Sequence, residues 1–306
     1  MSRRTRRLPW GFTLIELVMV IAISGFVGMA IVSFIKPALD AYAGLSLRAD
    51  MSAQSDAALR RMLRDVRRAV PNSIRVPESR CFELVPAMTG GRYRMGPDKV
   101  ADASSCTPQP TAPTAPSASC SAWVDPTQQT VAFDTLSQLS ATPTTSDFVV
   151  INNQNGNDVY AQTNVSRITA VAATQATTQG YTRITMNTMQ VSPGYTGGRF
   201  QVISGSERSV FYICSGSDSD ALDSNGNGTR RLFRVVRDFN ATYPTACPTI
   251  DSSAVLLATR LTKCSFIYNP NQGATQQSGY IWLEMEMVRN HEASHLAVGA
   301  HVWNVP

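Results

Sequence analysis

Apolar residues run almost unbroken from Phe12 to Ile35, thin out to every third or fourth position, and from Ile74 onward recur mostly in short stretches. The first stretch has 24 residues, about 36 Å as a helix and enough to cross a bilayer with some tilt. Leu59, Met62, Leu63, Val66, Ala69 and Val70 then follow the i, i+3, i+4, i+7 spacing of one helical face. Arg60, Arg61, Arg64, Arg67 and Arg68 fall mostly on the other faces, with Asp56 and Asp65 placed for local pairs to Arg60 and Arg68. Pro71-Asn72 should end this helix, and Gly25, Gly28, Pro37 and Gly44 are points where it can bend. Short runs rich in Val, Ile, Tyr and Thr predict strands at 81–86, 148–152, 166–172, 182–188, 199–204, 210–214, 231–237, 261–268, 280–288 and 296–302. The pattern predicts an α+β protein. Its long N-terminal helix spans a membrane over 12–35 and is amphipathic over 36–71. It packs on a mostly antiparallel β-sheet head at 72–306, with an exposed, poorly ordered Pro/Ala/Thr/Ser-rich loop at about 101–119.

Charge sharpens the picture of the first stretch. Glu16 stands inside it, where an acidic side chain costs roughly 2.5–3.5 kcal/mol at a helix centre and therefore calls for a partner. Arg3, Arg4, Arg6 and Arg7 precede it, so residues 1–11 should face the cytoplasm and the head the outside. Two plainer readings compete. A secretory signal peptide would use Ala41-Tyr42-Ala43 for cleavage, but the apolar stretch is long for one and Glu16, Lys36 and Asp40 are out of place. An ordinary signal anchor would let Glu16 snorkel to the headgroups. Without the four leading arginines the net charge of +5 falls to +1, which removes any footprint for nucleic acid over the head. The arginine face reads as a solvated surface meeting another subunit.

Cys81, Cys106, Cys120, Cys214, Cys247 and Cys264 all follow the span, and an even count in an exported domain predicts disulfides. The pairing stays open, although Cys106 and Cys120 flank the Pro-rich stretch and can close it locally. Three chemical motifs need weighing. His291-Glu292-Ala293-Ser294-His295 spells H-E-x-x-H, with His301 at the spacing of a third zinc ligand. That motif works on a helix. Here period-two alternation on both sides predicts two strands joined by a turn at 290–294, so a membrane-tethered zinc metalloenzyme is a remote reading. Asp223, Asn225 and Asn227 fit the first half of an EF-hand loop, and Asp218 and Asp220 lie nearby. Arg234 takes the place of the closing Glu, so these are weak calcium candidates against a plain turn. No G-x-S-x-G, P-loop or Rossmann pattern occurs.

The string Gly11-Phe12-Thr13-Leu14-Ile15-Glu16 resembles the signature of the type IV prepilin superfamily. Blocks at 60–76, 81–94, 199–205, 210–214 and 301–306 resemble, more narrowly, the MshO-type minor pilins of the mannose-sensitive haemagglutinin pilus system. PilW-type minor pilins and type II secretion pseudopilins share that architecture. The resemblance implies cleavage between Gly11 and Phe12 by a prepilin peptidase, methylation of Phe12, and pairing of Glu16 with the terminal amine of a neighbouring subunit. It further implies an inner-membrane, single-pass precursor with a periplasmic head. Its partners would be major and minor pilins and the inner-membrane assembly platform. A minor pilin of this kind would be no enzyme and would need no cofactor. The alternatives are a minor pseudopilin and an adhesive pilus-tip head.

Overall fold

The computed structural model describes residues 11–192, 197–216, 221–272 and 278–305. Among the described residues one α-helix, α1 (Leu14–Arg67), is followed by thirteen strands. These are β1 (Arg75–Glu78), β2 (Cys81–Leu84), β3 (Ala87–Arg92), β4 (Gln129–Asp134), β5 (Phe148–Ile151), β6 (Val165–Ala173) and β7 (Thr182–Gln190). Then come β8 (Arg199–Ile203), β9 (Ser209–Ser215), β10 (Arg230–Arg237), β11 (Val255–Gln272), β12 (Ser278–Arg289) and β13 (Glu292–Trp303). The chain divides within α1 into two units, Met1–Asp50 and Met51–Pro306.

In the first unit, α1 is one helix long and apolar enough to cross a membrane, judged by length and composition. Its large apolar side chains stand exposed from Leu14 to Leu45, Phe26 at 77% and Phe34 at 80%. Pro37 lies within the helix without ending it.

The second unit is built of antiparallel sheets. A seven-stranded sheet has the order β1-β2-β9-β10-β11-β12-β13, and a six-stranded sheet the order β3-β8-β5-β6-β7-β4. The six-stranded sheet is formed entirely by chain running from β3 to β8. It leaves and rejoins the seven-stranded sheet where Leu84 of β2 pairs with Val210 of β9. The second half of α1 lies on the seven-stranded sheet. Met51, Ala58, Leu59, Met62 and Val66 share a core with Phe82, Tyr212, Phe266, Leu283 and Met285. Phe82 stacks on Tyr212 at 5.0 Å and meets Phe266 edge-on at 5.1 Å. A separate core around Phe133, Ile168, Ile184 and Phe200 fills the other sheet. A small cluster joins Val70, Val85, Val159 and Tyr160 to Val150 of β5 and Ile203 of β8.

The expected α+β architecture is present, and all ten anticipated strands occur. Three were not anticipated. Strand β1 contains Pro77, which is tolerated because β1 is an edge. Strand β3 carries Gly90-Gly91, and β4 shows no alternation because five of its six residues are buried. The helix also stops at Arg67, short of Pro71, because the following backbone is taken into the sheets. Ala69 bridges Pro86, and the Val70 N–H donates to Val85 O at 2.8 Å. The segment at 101–119 is tied down rather than loose. The Cys106–Cys120 disulfide closes it, and the Gln109 side chain pairs with both backbone groups of Trp123 at 2.8 Å.

Candidate functional site

The segment carrying the prepilin-like string begins as non-helical backbone at Gly11, Phe12 and Thr13 and enters α1 at Leu14. Gly11 and Phe12 are exposed, Phe12 at 78%. Thr13 caps the helix. Its N–H and Oγ1 donate to Glu16 Oε2 at 3.1 and 3.0 Å, and the Glu16 N–H donates back to Thr13 Oγ1 at 3.3 Å. This is a capping box, legible in the sequence as T-x-x-E but absent from the expectations above. The carboxylate of Glu16 is therefore held at the head of the helix, facing the helix dipole's positive end. The peptide bond after Gly11 lies outside the helix.

Two buried charge networks fasten the second unit. Asp65 comes within 3.7 Å of Arg68, the local pair expected, and is also fully buried on the sheet side of α1. Tyr212 Oη donates to its Oδ2 at 2.7 Å and Arg234 Nε to the same oxygen at 3.0 Å, while Arg234 Nη1 reaches Glu207 at 3.0 Å. Burial alone would lower the Arg234 guanidinium, but Asp65, Tyr212 and Glu207 together hold it above its ordinary value. Burial, then Asp65, raises the Tyr212 phenol. In the second network Arg75, 1% exposed, lies over the Tyr160 ring at 3.3 Å and within 3.5 Å of Glu83. Its guanidinium also donates to Asn157 Oδ1 and to the Gly156, Asn240 and Thr242 carbonyls. Ser209 Oγ donates to Glu83.

All six cysteines are paired, as Cys81–Cys247, Cys106–Cys120 and Cys214–Cys264. The last joins β9 to β11, beyond the stretch of β11 that pairs with β10.

The H-E-x-x-H string lies on a hairpin. Arg289 pairs with Glu292, so the turn is only Asn290 and His291, both at positive φ (51° and 64°), tighter than the turn expected over 290–294. His295 and His301 both lie on the exposed side of β13, about 20 Å apart along an extended strand, so they cannot share an ion. His295 Nε2 contacts Glu284 at 3.0 Å, and His301 meets the Tyr280 ring at 5.3 Å. The His295 and Lys263 hydrogen bonds hold the Glu284 carboxyl down at about 2. Of the calcium candidates, Asp218 and Asp220 lie outside the described residues. Asp223 Oδ1 accepts the Asn225 and Asn227 N–H groups at 2.8 and 2.9 Å, and Asn227 Oδ1 accepts the Asn290 N–H at 3.1 Å. Asp223, Asn225 and Asn227 thus form a turn docked on the β12–β13 hairpin. Gly226, at φ +70°, lies so close under the His291 ring that a Cβ would come within 2.5 Å of it. Among the described residues no three His, Cys, Asp or Glu side chains are grouped to hold a metal ion.

Comparison of the chain with protein families, with curated proteins and with solved structures returned no match. The fold and its leading segment define the class coarsely. It is an α+β protein with antiparallel sheets, three disulfides, and an apolar N-terminal helix suited to a membrane anchor or a signal sequence.

Proposed function

We propose that the chain is a minor type IV pilin of the MshO type, held in the inner membrane with its N-terminus cytoplasmic and its head periplasmic until assembly. A prepilin peptidase cuts between Gly11 and Phe12 and methylates Phe12, and the subunit then joins a pilus or its initiating complex. The observation that carries this reading is the start of α1: an exposed, non-helical Gly11-Phe12 immediately before a capped helix whose large apolar side chains are uncovered from Leu14 to Leu45. Each such side chain gains roughly 1.5–3 kcal/mol on burial. Lipid supplies that burial in the precursor, and the helices of neighbouring subunits supply it in the filament. Glu16 needs a cation in either setting, and the amine released at Phe12 of the next subunit provides it. The role is structural, without catalysis.

The test is mass spectrometry of the mature N-terminus from native membranes. A chain starting at methylated Phe12 is expected. A start at Gly44, or an intact start at Met1 or Ser2, overturns the proposal. In sheared filaments, Glu16→Ala should be processed normally yet missing, and its normal incorporation would sink the pairing role of Glu16.

A further inference from the structure

A groove of about 680 Å³ lies between the end of α1, strand β3 and the last residues of β13. Arg67 at the end of α1, Arg68 just after it, Arg92 from β3 and Arg199 from β8 line it, and no acidic side chain does. Arg92 and Arg199 are direct cross-strand partners. Like charges in that relation repel. Among the described residues Arg67, Arg92 and Arg199 form no ion pair. Arg68 comes only within 3.7 Å of Asp65, which already serves Arg234 at 3.0 Å. Arg80, Arg183, Arg208 and Arg237 each have a carboxylate partner, while exposed Arg231 has none among the described residues; what sets the groove apart is that four arginines line it together without an acidic residue. The unneutralised arginines gathered in this groove mark where an anion is expected from outside.

The rest of the lining says what kind of anion. Half-buried Met88 and Trp303, 61% exposed, supply apolar surface over buried Phe200 and Val305, and Ser137 and Ser140 supply hydroxyls. We propose that the groove docks an extended acidic peptide segment of a partner protein, alternating carboxylate and apolar side chains. In an extended chain alternate residues face the same way, about 7 Å apart. Carboxylates then meet the guanidiniums in charge-assisted, bidentate pairs while the apolar residues cover Met88 and Trp303. A free phosphate would neutralise the arginines but leave the apolar lining wet, and a flat lipid surface cannot enter a recess. The proposal does not depend on the pilin reading.

The experiment is fluorescence anisotropy with a labelled Glu-Val-Glu-Val-Glu peptide and the full chain in neutral detergent micelles, empty micelles serving as blank. Saturable binding is expected, weakened about tenfold or more in R92Q/R199Q and changed less than about twofold in R64Q/R231Q, which removes the same charge outside the groove. R92Q/R199Q relieves a repulsion and should fold with all three disulfides. Should it not, R67Q alone, on the helix end, is expected to weaken the peptide. Absence of saturable binding overturns the proposal, as does equal loss in the two double variants. Binding of inorganic polyphosphate or of phosphatidylglycerol vesicles as tight as that of the peptide overturns it in favour of a general anion or lipid site.

Discussion

Glu83 is a carboxylate nearly stripped of water. It is 1% exposed, and its Oε2 accepts no hydrogen bond among the described residues. Burial raises its pKa from 4.5 to about 7, outweighing the opposing pull of Ser209 and Arg75. The folded chain therefore holds this proton more tightly than the unfolded one. The stabilisation is complete below about pH 4.5, declines as pH rises, and is gone above about 7, amounting to roughly 3 kcal/mol at most. Asp98, Asp223, Asp251 and Glu284 are shifted downward by hydrogen bonds and act in the opposite sense, so their contribution disappears in acid. Urea unfolding of the full chain should give a midpoint that falls between pH 5 and 7, and Glu83→Gln should flatten that slope. An equally steep profile in the variant would assign the proton elsewhere. Nothing near Glu83 in the sequence announces this, because its partner Ser209 is 126 positions away.

For α1 the apolar stripe was legible, since the 3.6-residue period survives in residues 58–66. Spacing showed the Arg68 contact of Asp65, at 3.7 Å, but neither its burial nor the partners Tyr212 and Arg234 that arrive from β9 and β10. That buried cluster fastens helix to sheet. Asp65→Asn should cost about 3–5 kcal/mol, because it leaves the Arg234 charge buried beside a neutral amide. Asp65→Leu combined with Arg234→Met should recover most of that loss, as packed apolar groups often replace a buried pair without penalty. Denaturant midpoints of the two variants check this. Full stability in Asp65→Asn would mean that Glu207 alone satisfies the arginine. Strand alternation was equally readable in β12 and β13, and it argued against the H-E-x-x-H string before any coordinate did. The capping box at Thr13 was readable too. Strands β1, β3 and β4 were masked by Pro77, by Gly90-Gly91 and by burial on both faces.

At the scale of the whole molecule, alternation tells which segments are strands but not which ladders they join. The two-sheet division and the disulfide partners were therefore hidden, and so was the arginine groove, whose walls come from four elements. The division has a consequence for how this head can be taken apart. The six-stranded sheet is a guest inserted at one hairpin of a host, and its two attachment points are neighbours on β2 and β9. The covalent staples respect the same partition. Cys81–Cys247 and Cys214–Cys264 belong to the host, and Cys106–Cys120 belongs to the guest. Replacing residues 87–206 by a short Asn-Gly turn should leave a smaller protein that forms both host disulfides. It should be less stable, because Val70, Val85 and Arg75 lose the cover of Val159 and Tyr160. Scrambled disulfides in that miniature would mean that guest and host fold as one. Native ones would make the hairpin a natural port, where one lobe can be exchanged for another without disturbing the helix that carries it.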